Sequence, residues 1–317
     1  MKHLFIVKPV AGGRDHSAEV QQTAAQTLRG SDVPHEIYVT KAPMDACDKI
    51  RAEARSGETL RVYACGGDGT LNECVNGAAG LQNVAVTHFP CGTGNDFIKT
   101  FGADSARFFD LGELVSGEVR PFDVIECCGR YSVNICSVGI DARIGTEVHK
   151  YSRIPLVGGA TGYVVSALVN VFKGITQNMR VRGGGCEYTG RVALVCACNG
   201  QFYGGGFHAM PGARPDSGVL GFHVVRDVKL REFPGLILKY AKGRWREIPA
   251  EKLTHLTGTH LEIESDEDIV VNIDGEALYS RHINFDVCPG GVNFIVPKNM
   301  AFFANAARPC PADAAVV

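Results

Sequence analysis

Two stretches of this chain have the form strand, glycine loop, helix, and they follow one another directly. Leu60-Arg-Val-Tyr-Ala-Cys65 runs into Gly66-Gly-Asp-Gly-Thr-Leu-Asn-Glu73, after which Leu71, Cys74, Val75 and Ala78 recur at helical spacing. Val84-Ala-Val-Thr-His-Phe89 then runs into Pro90-Cys-Gly-Thr-Gly-Asn-Asp-Phe97. The same alternation starts upstream. Leu4–Val7 reads as a strand closed by Lys8-Pro-Val-Ala-Gly-Gly13, and Val20, Ala24, Ala25 and Leu28 mark a helix stopped by Gly30. Ile37–Thr40 reads as the next strand, and Met44, Cys47, Ile50 and Ala54 as the next helix. Strands alternating with helices predict an α/β domain, a parallel sheet with helices on both faces. Ligands of such sheets sit at the carboxyl ends of the strands, where these glycine loops fall.

A chain of 317 residues suggests two domains. Its 38 glycines, about 12% against a usual 7%, follow no Gly-X-Y period, so collagen is excluded. The net charge of −2 leaves no global basic footprint for nucleic acid. The 12 cysteines sit in apolar runs such as Leu194–Cys198, and the start of the chain lacks the form of a signal peptide. Both features predict a cytoplasmic protein whose thiols are core residues. Cys127-Cys128 and Cys196/Cys198 lack the spacing of a zinc knuckle, so no structural zinc is expected. Ile154–Ile175 is the most apolar stretch, but Gly158, Gly159, Gly162, Asn170 and Lys173 interrupt it. It reads as a buried or interfacial helix rather than a membrane span.

After Phe122 the rhythm changes. Val124–Cys127 and Tyr131–Cys136 resemble a hairpin through Gly129-Arg130. Further strands are predicted at Arg191–Cys198, Val219–Val225, His260–Glu264, Ile269–Ile273, Ile283–Val287 and Val292–Val296, with helices near Gly162–Gly174 and Leu230–Lys242. This pattern predicts a mostly antiparallel β-sandwich with a few helices. The predicted domains are 1–122, binding nucleotide, and 123–296, the sandwich. The last segment, about 297–317, is a candidate to return to the first domain.

The chemistry lies in the loops. Three glycines in Gly66–Thr70 remove the side chains that would keep a phosphate from the backbone, and the helix that follows adds its positive end. Asp68 among them makes sense when a divalent cation or a proton role accompanies the phosphate. In the second loop Thr93 can donate a hydroxyl, while Asn95 can cap the helix or hold a ribose. A single such loop is also a common capped turn. Three converging on one sheet edge, counting Lys8–Gly13, favour a nucleotide-phosphate site.

The ordered set GGDGTLNE, PCGTGNDF and a late Asp274-Gly-Glu276 resembles the diacylglycerol kinase catalytic-domain family, in its bacterial soluble lipid kinase branch. Sphingosine and ceramide kinases are its relatives. The likeness spans nearly the whole chain, through Asn199-Gly and Gly204-Gly-Gly206. NAD kinases share the GGDG-type loop but not the Asn95-Asp96-Phe97 continuation. The resemblance implies a nucleotide-binding α/β domain followed by a β-sandwich lipid domain. It implies ATP contacts at Lys8, Pro9, Gly12, Thr40, Gly66, Gly67, Asp68, Gly69, Thr70, Leu71, Asn72 and Thr93. Asp68 would work with Mg2+ and the transferring phosphate, and Glu276 would accept the proton of the lipid hydroxyl, with Asp274 as second candidate. An alcohol is a poor nucleophile until a carboxylate takes its proton, which gives these acids a physical reason. By itself, Asp274-Gly also reads as a hairpin turn.

Two positions depart from the family pattern. Lys8 stands where asparagine is usual, and Asp216-Ser217-Gly218 carries serine where an acid holds a structural Mg2+, so either Asp216 substitutes with a shifted register or that metal is absent. A basic run, Lys239, Lys242, Arg244 and Arg246 interleaved with Tyr240 and Trp245, reads either as a patch for anionic headgroups or as a solvated helix face. The expected activity is ATP-dependent phosphorylation of a lipid alcohol at the membrane surface. Diacylglycerol is the first candidate, ahead of phosphatidylglycerol, monoacylglycerol or a sphingoid base. A soluble-metabolite kinase of the NAD kinase type and a non-catalytic sensor are the rival readings, and a homodimer is left open.

Overall fold

The computed structural model describes residues 1–9, 15–140, 142–143 and 175–304. The chain divides into two compact units: Met1–Val124 with Arg214–Ser217 and Cys288–Val317, and Ile125–Ala213 with Gly218–Val287. The first division falls close to the predicted boundary at 122. The return to the first unit begins at Cys288, so the strand predicted at Val292–Val296 belongs to it. Asn293 and Phe294 pair in parallel with Ala85 and Val86.

In the first unit β1 (Lys2–Val7), β2 (His35–Val39), β3 (Leu60–Gly66) and β4 (Val84–Pro90) pair in parallel in the order β2-β1-β3-β4. Their apolar runs explain this: Phe5, Ile6, Val7, Val62, Ala64 and Val86 are fully buried, as strands covered on both sides require. The helices are α1 (Ser17–Thr27), α2 (Asp45–Ala54), α3 (Asp68–Ala78), α4 (Asp96–Lys99) and α5 (Leu111–Val115). Helix α2 packs on α3, and α1 on α5. Register puts Val7 beside Val39 and Cys65, and Gly66 beside Pro90, so the carboxyl ends of all four strands share one edge. An aromatic cluster of Phe97, Phe101, Phe122 and Phe294 packs below that edge.

The second unit is antiparallel. Its strands are the end of β5 (Glu118–Cys127), β6 (Arg130–Ser132), β7 (Ile135–Gly139), β8 (Gln177–Gly183), β9 (Cys186–Cys198), β10 (Phe202–Tyr203), β11 (Phe207–His208) and β12 (Leu220–Arg226). After α6 (Phe233–Ala241) come β13 (Leu253–Gly258), β14 (His260–Ile273) and the first part of β15 (Glu276–Val296). β9 and β14 are long enough to pair β8 with one half and β7 with the other, which folds the sheet over the core around Val138, Val181, Phe222 and Phe285. The strands predicted at 260–264 and 269–273 are one strand with an irregularity between Glu264 and Ile269. Those predicted at 283–287 and 292–296 both lie in β15. β8 and β13 were not legible in advance. The β8–β9 hairpin turns on Gly184-Gly185, with φ of +59° and +80°, conformations a two-residue hairpin demands and glycine supplies. The helix predicted near Gly162–Gly174 lies outside the described residues. Among the described residues no helix is long and apolar enough to cross a membrane.

One buried histidine makes the first unit pH-sensitive. His3, 2% exposed, has Nδ1 2.7 Å from the Tyr63 hydroxyl, which itself receives Arg61 Nε–H at 3.4 Å. The hydroxyl therefore donates to a neutral imidazole. Burial first, then the Arg61 charge, lowers the His3 pKa from 6.5 to about 4. A lowered folded-state value means stability complete above 6.5 and lost as pH falls towards 4. Between pH 7.5 and 5 this group should cost about 2 kcal/mol. Urea unfolding at the two pH values should show His3→Gln losing less stability than wild type by about that amount.

Candidate functional site: a glycine-loop rim and an aspartate-anchored hairpin

The two glycine loops touch. Cys91 and Gly92 N–H both donate to the Gly66 carbonyl, at 2.8 and 3.2 Å, and His88 Nε2 reaches the same oxygen at 3.0 Å. A Cβ on Gly92 would lie 2.6 Å from Gly67 Cα, so the loops approach this closely only because position 92 is glycine. Thr70 and Leu71 N–H close onto the Gly67 carbonyl. That leaves the N–H groups of Asp68 and Gly69, at the first turn of α3, without an acceptor among the described residues. Thr93 is exposed at the tip of the second loop. Such a rim of free amides at a helix start suits a phosphate.

Asp68 joins the loops. Its Oδ1 accepts Asp96 N–H at 2.7 Å, and Phe97 N–H also bonds to this carboxylate. Thus the acid of one loop caps the helix of the other. Asn95, just before that helix, is held at φ 49° and bonds Gly92 O through Nδ2 at 2.8 Å. The Phe97 ring, 1% exposed, fixes the loop from below. Burial raises the Asp68 pKa, the nearby Asp96 charge adds to the rise, and His88 with the two amides opposes it. His88 is fully buried and donates Nε2–H to Gly66 O; burial lowers its pKa, while the Asp68 charge and the bond to Gly66 oppose that.

The carboxylates leave room for a cation. A Cβ on Gly94 would meet Asp68 Oδ2 at 2.7 Å and Asp96 Oδ2 at 3.9 Å, and glycine leaves that space open. Asp96 Oδ1 is held by Lys99 Nζ at 2.6 Å. Two carboxylate oxygens beside an open space, one on an acid whose charge burial disfavours, fit Mg2+. Among the described residues there is no group of three or more acids, histidines and cysteines able to hold a metal by itself, so phosphate and water oxygens would complete the shell.

The other residues expected at the nucleotide divide. Lys8 and Thr40 stand at the strand ends, where Lys8 N donates to Cys65 O and Thr40 N to Val7 O; Pro9 follows Lys8. Gly12 lies outside the described residues. Leu71 and Asn72 turn inward, at 1% and 3% exposure, and the Thr70 hydroxyl is buried against Gly66, so these three can offer a ligand little beyond backbone. Sequence pattern marks out neither Asp96 nor His88 for a role; Asp96 lies within the second glycine loop's motif, and only the fold brings it beside Asp68.

In the second unit, Asp274 and Gly275 are the turn of the β14–β15 hairpin, in which Ile273 pairs Glu276. Asp274 has φ 49°, the left-handed conformation that aspartate tolerates and that an Asp-Gly hairpin turn requires. Its carboxylate is fully engaged: Oδ1 accepts Ser132 Oγ–H at 2.6 Å and Ile135 N–H at 2.9 Å, and Oδ2 accepts Val133 N–H at 3.1 Å. The same loop is tied down by Asn199, whose Nδ2 donates to Val133 O at 2.7 Å. Glu276, one residue past the turn, is exposed. The geometry separates the two acids into an anchored one and a free one. Asp216 is held on both oxygens by Arg214, each contact 2.9 Å, which occupies the acid that could have taken a structural metal.

The second unit also contains an apolar pocket. The Gly204–Gly206 turn sets Tyr203 and Phe207 on one wall, Leu194 and Val225 form the sheet side, and Leu236 and Tyr240 of α6 the other wall. Among the described residues of its lining, only Tyr203 and Tyr240 carry a polar side-chain atom. Since the lining is drawn from residues 140 to 248, no local motif announced it.

Residues 2–127 match the diacylglycerol kinase catalytic domain, and residues 134–296 the YegS C-terminal NAD kinase beta sandwich-like domain. A protein of Staphylococcus aureus strain MRSA252 named a "putative lipid kinase" is 24% identical over 256 residues, 80% of this chain and 83% of its own. A diacylglycerol kinase structure from Bacillus anthracis strain Sterne shares the fold, with a TM-score of 0.67 at 23% identity over 94% of this chain and 98% of its own. A second protein of that strain, described as a "putative diacylglycerol kinase", gives a TM-score of 0.73 at 26% identity over 94% and 96%. The chain belongs to the diacylglycerol kinase catalytic-domain family, carrying its catalytic domain ahead of the YegS-type sandwich-like domain.

Proposed function

We propose that this kinase-family chain is an ATP-dependent lipid kinase of the cytoplasm, phosphorylating a hydroxyl of diacylglycerol or a similar lipid alcohol. The observation that carries the nucleotide half is the contact of the two glycine loops through Gly67, Gly92 and the Asp68 carboxylate. The N–H groups of Asp68 and Gly69 then cradle phosphoryl oxygens, with Lys8 and Thr93 as side-chain donors on the same edge. Asp68 and Asp96 would hold Mg2+, which supplies charge neutralisation at the transferring phosphoryl group. The lipid half rests on the apolar pocket: a lining of aliphatic and aromatic side chains with two hydroxyls suits acyl chains and offers a dinucleotide little to bond. This favours a lipid over a soluble metabolite.

Within the second unit, Glu276 is the proton acceptor for the lipid hydroxyl, since its carboxylate is exposed while that of Asp274 is saturated by donors. Asp274 is the positioning residue. It holds the Ser132–Ile135 loop and fixes the turn on which Glu276 follows.

The test is transfer of label from ATP to a panel of lipid alcohols in mixed micelles, with products separated by thin-layer chromatography. Label is expected on diacylglycerol or another lipid, and label only on a water-soluble product contradicts the reading. Glu276→Gln should leave ATP affinity intact while kcat falls about a hundredfold or more, because an amide cannot take the proton. Asp274→Asn should instead lower thermal stability and raise the lipid KM, with a smaller loss at saturation. If neither slows turnover tenfold, about 1.4 kcal/mol of barrier, this hairpin has no catalytic part.

Asp68 is tested by two substitutions. Asp68→Asn keeps an oxygen for the Asp96 amide but loses the charge, so melting temperature and ATP affinity should hold while kcat falls at least about a hundredfold. Asp68→Ala removes both, and should also weaken nucleotide binding by releasing the second loop. Equal behaviour of the two variants in binding assays would show that the cross-loop bond does not position the rim.

A further inference from the structure

Helix α6 has two faces with different surroundings. Phe233, Leu236, Ile237 and Tyr240, at helical spacing, line the apolar pocket. The opposite face carries Pro234, Leu238 and, one residue beyond the helix, Lys242, all exposed. Leu238 is 60% exposed, and Leu230, shortly before the helix, 59%. Single exposed leucines are ordinary, so what matters is their setting.

That setting is cationic. Between Arg226 and Lys252 the chain holds eight lysines and arginines against four acids, a local excess of four in a chain whose net charge is −2. Two of the acids are already matched: Glu232 pairs with Lys252 at 3.0 Å and Glu247 with Arg244 at 3.4 Å. Lys229, Arg231 and Lys242 are exposed and enter no ion pair among the described residues. Exposed leucines flanked by free cations, on a helix whose other face is apolar, are the parts of an interfacial membrane contact.

We propose that Lys229–Lys242 is a membrane-docking surface, seating Leu230 and Leu238 in a bilayer interface whose anionic phospholipid headgroups face Lys229, Arg231 and Lys242. Charge complementarity selects the occupant: an anionic bilayer offers many phosphates to several spaced cations and an apolar layer to the two leucines beside them. Because the inner face of the same helix walls the apolar pocket, docking would bring that wall to the surface from which a lipid substrate comes. In this respect the proposal rests on the lipid-kinase reading, although its test involves no turnover.

The test is flotation of the full chain with mixed phosphatidylcholine–phosphatidylglycerol vesicles and with pure phosphatidylcholine vesicles, without ATP. Binding should appear with the anionic vesicles and weaken as added salt shortens the screening length below about 10 Å. Lys242→Gln alone should weaken it about fivefold, and the triple exchange Lys229→Gln, Arg231→Gln and Lys242→Gln about a hundredfold. Leu230→Ser with Leu238→Ser should weaken it at high salt as well. Melting curves and phosphoryl transfer to micellar lipid should match wild type in the charge variants. Equal binding to both kinds of vesicle, or undiminished binding by a folded triple variant, overturns the surface. Vesicle binding by a chain that transfers no label to any lipid would leave this surface standing and remove the kinase reading alone.

Discussion

The bond from Asp96 N–H to the Asp68 carboxylate is the constraint on which the first unit's site depends. It places a charged group where burial disfavours charge, and it does so to hold a loop. Everything around it serves the same end. Gly92 permits the approach to Gly67, Gly94 adds no side chain against the Asp68 carboxylate, and Phe97 is buried beneath the second loop. His88 fastens the first loop through the Gly66 carbonyl. The cost of burying Asp68 is met in part by two amides and by the imidazole close by; a bound cation would meet much of the rest.

The second unit uses the same device. Asp274, in a left-handed turn, spends its carboxylate on three donors of the Ser132–Ile135 loop, and Asn199 also bonds that loop. A short aspartate side chain accepts several hydrogen bonds with little conformational freedom to lose, which makes it suited to bracing loops. In each unit, then, one carboxylate is structural in its bonds, and a second acid, Asp96 or Glu276, lies close to it in the chain or the fold.

That β1 to β4 are parallel strands was legible because buried strands of such sheets are nearly continuous apolar runs and the glycine loops mark their ends; their order was not. The identity of the loops was legible for the same reason, since residue type there is dictated by close backbone approach. What remained hidden depends on tertiary contact. Nothing local tells that Asp68 caps α4, that the Thr70 hydroxyl turns inward, or that Leu71 and Asn72 are core residues. The strands β8 and β13 were missed because Gln177–Gly183 holds only Met179 and Val181 as apolar residues, and Leu253–Gly258 only Leu253 and Leu256. The end of β15 pairs with β4 across a sequence separation no periodicity reports, so its place in the first unit came only from the structure.

The central claim is that the two glycine loops act as one phosphate-binding rim. Amide hydrogen exchange of the wild-type chain, followed by mass spectrometry with and without a non-hydrolysable ATP analogue and Mg2+, tests it most directly. The account predicts that peptides covering Gly66–Asn72 and Gly92–Ile98 gain protection together at the same nucleotide concentration. Protection of one loop without the other, or of neither at concentrations that saturate binding, would contradict it.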